Sequence, residues 1–464
     1  MTSSSSLSLW HHEAAGSEGS DSRPLHGEDR TNVAIVGGGY VGLWTAYWIK
    51  RATPDVDVVV IDQGRCGDGA SGRNGGFALT LWAKLPSLIG VLGSDRAVEV
   101  GRQSEQAITD IESFCEEHDV DAHFVRGGWL WTARVKAHHG AWNGLLEACD
   151  RAGVNPFKAL PDEEVARRAG SKTHLGGVIG ASGATVQPYL LARGLRRVCL
   201  ELGVRIYEHS KMVGLDRGTP ARIDTPGGSI TADAVVIATN AWAANMRELK
   251  RRLVVVSSDL VATPPIPRRL EEIGWTGGES INDSQLWIDY YRTTRDGRIV
   301  FGKGVASLAY GGRIGPSFDR SAARAAVTAA DFRAAYPQLA DVPLEFDWSG
   351  PIDRSPTGLP ELGRLGGRPN IFYGVGWSGN GVAPSVLGGR ILASLATNRD
   401  DEYSNHPLIG LQLGSLPAEP IRFIGGNLVR RAAYHKEKAE MAGRRPNRIA
   451  EILSRLVPAG VEDH

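Results

Sequence analysis

The chain has 464 residues, enough for two or three domains, and carries 52 Lys and Arg against 52 Asp and Glu. That balance gives no footing for a nucleic-acid or anionic-membrane partner, and no apolar run reaches the ~18 residues of a membrane span. Four scattered cysteines (Cys66, Cys115, Cys149, Cys199) form no C-x-x-C, which argues against a disulfide framework or zinc site and for reduced thiols in the cytoplasm; no metal site is expected.

Residues 1–30 are Ser-rich, then His- and acid-bearing, with no apolar leader core. They read as a flexible arm, with Trp10 the exception that could dock on the body. The apolar run at Val33 ends in Gly37, Gly39 and Gly42, spaced G-x-G-x-x-G; a helical segment follows from Leu43 to Lys50, then a second apolar run, Val56 to Ile61, ending in Asp62. This is the order of a strand–turn–helix–strand unit that binds a dinucleotide. Gly37 permits the turn, Gly39 admits the pyrophosphate and Gly42 lets helix and strand approach. The anion would rest on N–H groups at the helix N-terminus, with Asp62 on the ribose.

Further along, helices are expected at 90–120, 137–152, 188–202, 321–336 and 382–397. Strands are expected at 204–207, 210–215, 232–241, 252–263, 284–305 and 371–376, and a Gly-Gly hairpin at Phe124–Ala133. The tail, 401–464, reads as irregular, then helical and basic (Arg430, Arg431, Lys436, Lys438, Arg444, Arg445), with a solvated helix face as its default role.

NAD and FAD share the opening fingerprint, so other segments must separate them. Gly67 to Phe77 holds five glycines with Ser71, Arg73 and Asn74, a loop able to cradle phosphates and approach a flat ring. Gly374, Gly376 and Gly379 repeat G-x-G-x-x-G, but no second strand ending in an acid follows. That segment reads instead as a helix N-terminus aimed at the polar edge of a flavin, where reduction builds negative charge. An NAD-dependent dehydrogenase and a flavin-binding protein without turnover are the competing classes.

With these segments in view, the chain resembles the D-amino-acid-oxidase-like (DAO) family of FAD-dependent oxidoreductases, and within it the gamma-glutamylputrescine oxidase branch. The carrying stretches are Val-Gly-Gly-Gly-Tyr-Val-Gly-Leu, Gly-Ala-Ser-Gly-Arg-Asn-Gly-Gly, Asp-Tyr-Tyr-Arg-Thr-Thr and Gly-Trp-Ser-Gly-Asn-Gly-Val, in family order. The resemblance implies an α/β fold: a Rossmann-like FAD-binding domain of the glutathione-reductase/D-amino-acid-oxidase type (31–85, 170–250 and 345–400), interleaved with an α+β, mixed-sheet substrate domain (86–169 and 251–344). The C-terminal extension, 401–464, lies beyond it. It places FAD on Gly37, Gly39, Gly42, Asp62, Ser71, Arg73, Asn74, Gly75, Gly76, Val213, Gly379, Gly381 and Val382. Relatives with covalent FAD use a Cys or His that this chain lacks in both glycine-rich regions, so non-covalent FAD is expected.

The implied chemistry is oxidation of a C–N bond in an amine or amino acid by hydride transfer to flavin N5, with oxygen or another carrier as electron acceptor. The alternative is a flavin-dependent dehydrogenase or monooxygenase acting on a non-amine. Substrate-positioning candidates are Tyr290, Tyr291, Arg292, Trp348 and Trp377. On a strand, Trp287, Asp289 and Tyr291 would share one face and Ile288, Tyr290 and Arg292 the other. Arg292 could hold a carboxylate or serve a salt bridge, Asp289 could hold an amine, and Lys303 is a minor candidate for a place over the flavin. Trp377 stands where the branch has Tyr. Nothing in the sequence sets an oligomeric state.

Overall fold

The computed structural model describes residues 7–15, 22–411 and 414–457. The strand Gly27–Val36 pairs in parallel with Val58–Ile61 on one side and with Gly228–Ile237 on the other. Ile371–Val375 and Glu361–Arg364 extend that sheet beyond Gly228–Ile237, and Arg205–Tyr207 extends it beyond Val58–Ile61. Two short strands, Gly214–Asp216 and Ala221–Thr225, lie off this path. The central strands are apolar on both faces because both are covered, one by helices and the other by Ala221–Thr225 and the turn Asn240–Asn245. On the helical side Tyr40–Ala52 and Pro384–Ala396 pack on each other, with Gly389 against the Trp44 backbone.

A second eight-stranded sheet runs in the order Phe346–Arg354, Val254–Ala262, Ile299–Leu308, Asp289–Thr293, Ser280–Asp283, Trp129–Ala133, Leu175–Gly180, Phe157–Leu160. It is mixed: Ser280–Asp283 runs parallel to Trp129–Ala133, and the other pairs are antiparallel. The interleaved α/β architecture expected from sequence is present. Two boundaries differ, since Leu175–Gly180 and Phe346–Arg354 fall inside segments assigned to the nucleotide domain yet pair in the second sheet. The hairpin expected at Phe124–Ala133 is one strand, Trp129–Ala133, with a lone bridge from Val125 to Thr185. Gly127 and Gly128 do not reverse the chain. A Cβ on Gly127 would strike the Gly278 backbone at 2.3 Å, so this glycine serves close strand approach.

The N-terminal arm is not free throughout. Leu9–Ala14 forms a helix whose Leu9 and Trp10 are buried against Tyr189, Leu260 and Trp348. Apolar burial of Trp10 outweighs the polar composition that suggested a solvated arm. Residues 1–6 and 16–21 of that arm, and 412–413 and 458–464 of the extension, lie outside the described residues.

Candidate active site

Between the two sheets lies a cavity of about 940 Å³. At one end stands the first glycine turn. Gly37 has φ +114°, and a Cβ there would meet Ala238 O at 2.4 Å; a Cβ on Gly42 would meet Gly37 O at 1.9 Å. The turn is therefore shaped by direct strand–helix contact. Gly39 is the N-cap of Tyr40–Ala52 and gives no side-chain cap. One first-turn donor, Tyr40 N–H, goes to Ser71 Oγ at 2.9 Å. The helix dipole faces the cavity where a pyrophosphate would lie.

Asp62 lines the cavity. Its carboxylate accepts from Gly38 N–H at 2.7 Å and Gly64 N–H at 2.8 Å. Burial pushes it up to about 6 against those two bonds. Each oxygen keeps a lone pair for a ribose hydroxyl. Val213, among the most exposed apolar residues, forms the outer rim beside Ser210, Lys211 and Met212.

The loop Ala70–Gly76 is held from behind through its carbonyls. Gly72 O accepts from Ser8 Oγ (2.8 Å), Arg73 O from Trp348 Nε1 (2.9 Å), Asn74 O from Trp10 Nε1 (2.8 Å) and Gly76 O from Arg292 Nη1 (3.2 Å). Four carbonyl dipoles thus point away from the cavity, a disposition suited to anion and flavin binding on its other side. The side chains of Arg73 and Asn74 are internal ties. Arg73 reaches Asp319 and Asp68 O, while Asn74 bonds Ala70 O and Ser71 O and accepts from Gly76 N–H. Gly42 and Gly76 shape this end without lining it.

At the opposite edge, Gly379, Gly381 and Val382 line the cavity before helix Pro384–Ala396, whose N-terminus has no side-chain cap. Asp353 fixes this turn, accepting from Gly376 N–H (2.5 Å), Trp377 N–H (3.1 Å) and Asn240 Nδ2 (3.1 Å). Burial drives its carboxyl up to about 7. Sequence reading missed Asp353.

The five positioning candidates separate. Tyr290 lines the cavity, its hydroxyl 2.7 Å from Ser258 Oγ and its ring against Gly75 and Gly302. Trp377 lines it too, wedged against Gly388. Tyr291, Arg292 and Trp348 do not line it. Tyr291 is core: it stacks on Phe301 and bonds His174 Nε2 at 2.5 Å. Trp348 packs edge-on to Trp10. Arg292 is committed to Val186 O (2.6 Å), Gly76 O and Thr293 O, and lies over the Trp10 ring. It is a loop tie, not a substrate anchor. Arg292→Ala is accordingly expected to cost about 2–4 kcal/mol of stability by orphaning buried carbonyls. The check is a lowered melting temperature in protein whose substrate KM is unchanged.

Asp289 and Lys303 also face away from the cavity. Lys303 Nζ bonds Asp289 and Asp331, both at 2.9 Å, and Trp287 O, so it takes no place over a flavin. The cavity wall that sequence reading did not find comes from Trp129, Trp131, Asn282, Leu286, Ile288 and Val305. The two indoles stack at 6.0 Å. Trp129 Nε1–H donates to Asn282 Oδ1, and Trp131 Nε1–H to Ser284 Oγ at 2.8 Å. Tryptophans at alternate strand positions were the available signal.

The FAD dependent oxidoreductase family, DAO, matches residues 32–395. The chain belongs to that family. It is 29% identical over 382 residues to gamma-glutamylputrescine oxidoreductase of Escherichia coli (81% of this chain, 86% of that protein). It is 30% identical over 382 residues to the probable oxidoreductase OrdL of Rhizobium meliloti (82% and 86%). Among solved structures, glycine oxidase from Geobacillus kaustophilus superposes with a TM-score of 0.66 at 22% identity, covering 82% of this chain and 98% of that one. The DAO-type fold, the FAD-dependent oxidoreductase class and the absence, among described residues, of any helix able to cross a membrane are established by these observations.

Proposed function

We propose that this DAO-family protein binds FAD non-covalently along the cavity and oxidises the C–N bond of an amine that bears no carboxylate beside the reacting carbon. The observation that carries the substrate reading is the second-sheet wall. Away from the edge strand Phe346–Arg354, that wall is Val256, Ser258, Leu260, Trp129, Trp131, Asn282, Leu286, Ile288, Tyr290, Gly304 and Val305, which include no charged side chain. Of the lining cations, Arg73, Lys84 and Lys211 stand on other segments, and Arg354 closes the far end of the second-sheet strand Phe346–Arg354, beside Asp353. The printed activities of relatives, on gamma-glutamylputrescine and on glycine, support amine oxidation in general.

When bound, FAD supplies a two-electron acceptor for hydride. The protein's part is placement and water exclusion. Trp129, stacked on the fully buried Trp131, offers aromatic surface to an apolar or cationic body. Tyr290 keeps its proton, because burial holds its phenol above the ordinary range despite the Ser258 bond, and so remains a neutral polar edge. The uncapped N-terminus of Pro384–Ala396 offers N–H dipoles where negative charge would collect. The domain division follows the two sheets, with Leu175–Gly180 and Phe346–Arg354 assigned to the substrate side. Four unpaired thiols support a cytoplasmic setting, and oxygen or another carrier would remove the electrons.

Purified protein is expected to be yellow and to release its colour into the supernatant on acid precipitation. In anaerobic titration, amines lacking a carboxylate should bleach the flavin at least tenfold more effectively than amino acids. Bleaching by amino acids alone would overturn the substrate reading, and pigment staying with the precipitate would overturn non-covalent attachment.

A further inference from the structure

The balanced charge of the whole chain conceals a local excess. Residues 421–457, outside the segment the family matches, carry nine Lys and Arg against three Glu. They form two helices, Ile421–Met441 and Arg448–Ser454, which pack on each other. The inner side of the longer helix is anchored through Ala433 and Glu437 against Trp287.

The outer side has no such partner. Ile421, Ile424 and Leu428 recur at i, i+3, i+7 and are exposed; Ile449, Ile452 and Leu456 repeat that spacing, Ile449 being 72% exposed and Ile452 62%. Each triplet makes one stripe. Arg431 and Lys438 continue the first stripe, and Arg448 and Arg455 flank the second; all four are exposed. Arg444 and Arg445, in the joining turn, are exposed as well. Among the described residues, Arg431, Lys438, Arg444, Arg445 and Arg448 enter no ion pair, and Arg455 meets only the exposed Glu451.

We propose that this face docks on an anionic lipid bilayer. A second copy would bring an equally basic face against this one, which like-charge repulsion opposes. Separate Ile and Leu side chains on a helix, bordered by Arg, suit a deformable apolar phase beneath anionic headgroups. Each added Lys or Arg near such a surface contributes about 1 kcal/mol at moderate ionic strength.

The test uses the full-length flavoprotein and needs no turnover, so it is independent of the substrate reading. Sedimentation with vesicles of phosphatidylcholine alone should give at least tenfold weaker binding than with equal phosphatidylcholine and phosphatidylglycerol, and added salt should weaken the latter. Ile452→Asp with Leu456→Asp, and separately Arg444→Glu with Arg445→Glu, should each lower anionic-vesicle binding at least tenfold while melting temperature and flavin content hold. No binding by the parent protein, equal binding to neutral vesicles, or binding untouched by both variant pairs would overturn the proposal. So would a dimer in sedimentation velocity that Ile452→Asp with Leu456→Asp splits, since that assigns the face to a second copy.

Discussion

Gly37→Ala is expected to come off purification colourless and to take up no added FAD. Two effects combine. The backbone at φ +114° is a region that a residue with a Cβ adopts only under strain of about 1–3 kcal/mol. The added carbon would also sit 2.4 Å from Ala238 O and 2.8 Å from its carbonyl carbon, backbone atoms just past the strand Gly228–Ile237. Relief requires the turn to move off the strand end, and the turn is what aims Gly39 and the following helix at the cavity. Gly90→Ala is the control. Gly90 lies in Leu85–Leu92 with nothing within 4 Å of its would-be Cβ, and alanine there should be neutral or stabilising by about 0.5–1 kcal/mol. Flavin-to-protein absorbance and melting temperature read both variants. A fully flavinated Gly37→Ala protein of normal stability would remove the basis for the turn's role.

Why the first turn could be recognised from sequence while the substrate wall could not follows from where the information lies. The G-x-G-x-x-G turn has a local spacing, and its demands on backbone conformation fall on single glycines, even though the atoms that crowd Gly37 belong to the distant Ala238. The alternation read at residues 287–292 was also correct: Ile288 and Tyr290 face the cavity and Asp289 and Tyr291 face away. Arg292 shares the face of Tyr290, but one step further along the strand the cavity has ended and the 70–76 loop begins. Only the tertiary fold says where a wall stops. Trp129 and Trp131 reach the cavity because Trp129–Ala133 pairs in parallel with Ser280–Asp283, about 150 residues away, a register with no local signature. Glu437 was equally hidden. Its surroundings in sequence, Lys436 and Lys438, suggest a solvated face, yet it is 2% exposed.

That buried glutamate leads to the second large effect. Glu437 accepts the Trp287 N–H at 2.5 Å, and its side chain joins a buried group in which Asp283, Asp289 and Asp331 meet Arg134 and Lys303. Four carboxyls face two cations, so full ionisation is unfavourable. Burial, resisted by Lys303, pushes Glu437 up to about 8; burial and Asp289 push Asp283 up to about 6. For Lys303, burial alone would lower its affinity for a proton, but Asp289 and Asp331 hold it above its ordinary value.

The sign for Glu437 is set by which state holds the proton. Between the unfolded value near 4.5 and the folded value near 8, the native state keeps a proton that the unfolded chain has lost, so stability from this group is complete below about 4.5 and falls as pH rises to about 8. Glu437→Gln keeps the acceptor for Trp287 and cannot ionise. It should match the parent protein at pH ~4.5 and exceed it by on the order of 2–4 kcal/mol at pH ~9. Lys303→Met should instead lose about 3–5 kcal/mol near neutrality, because Asp331 loses its cation and the buried Asp289 is left with Arg134 alone. Leu286 and Ile288, on the opposite face of this segment, line the cavity. Melting temperatures across that pH range separate the two variants; a Glu437→Gln profile parallel to that of the parent would mean that the carboxyl ionises alike in the folded and unfolded chain, and that burial does not hold a proton on it.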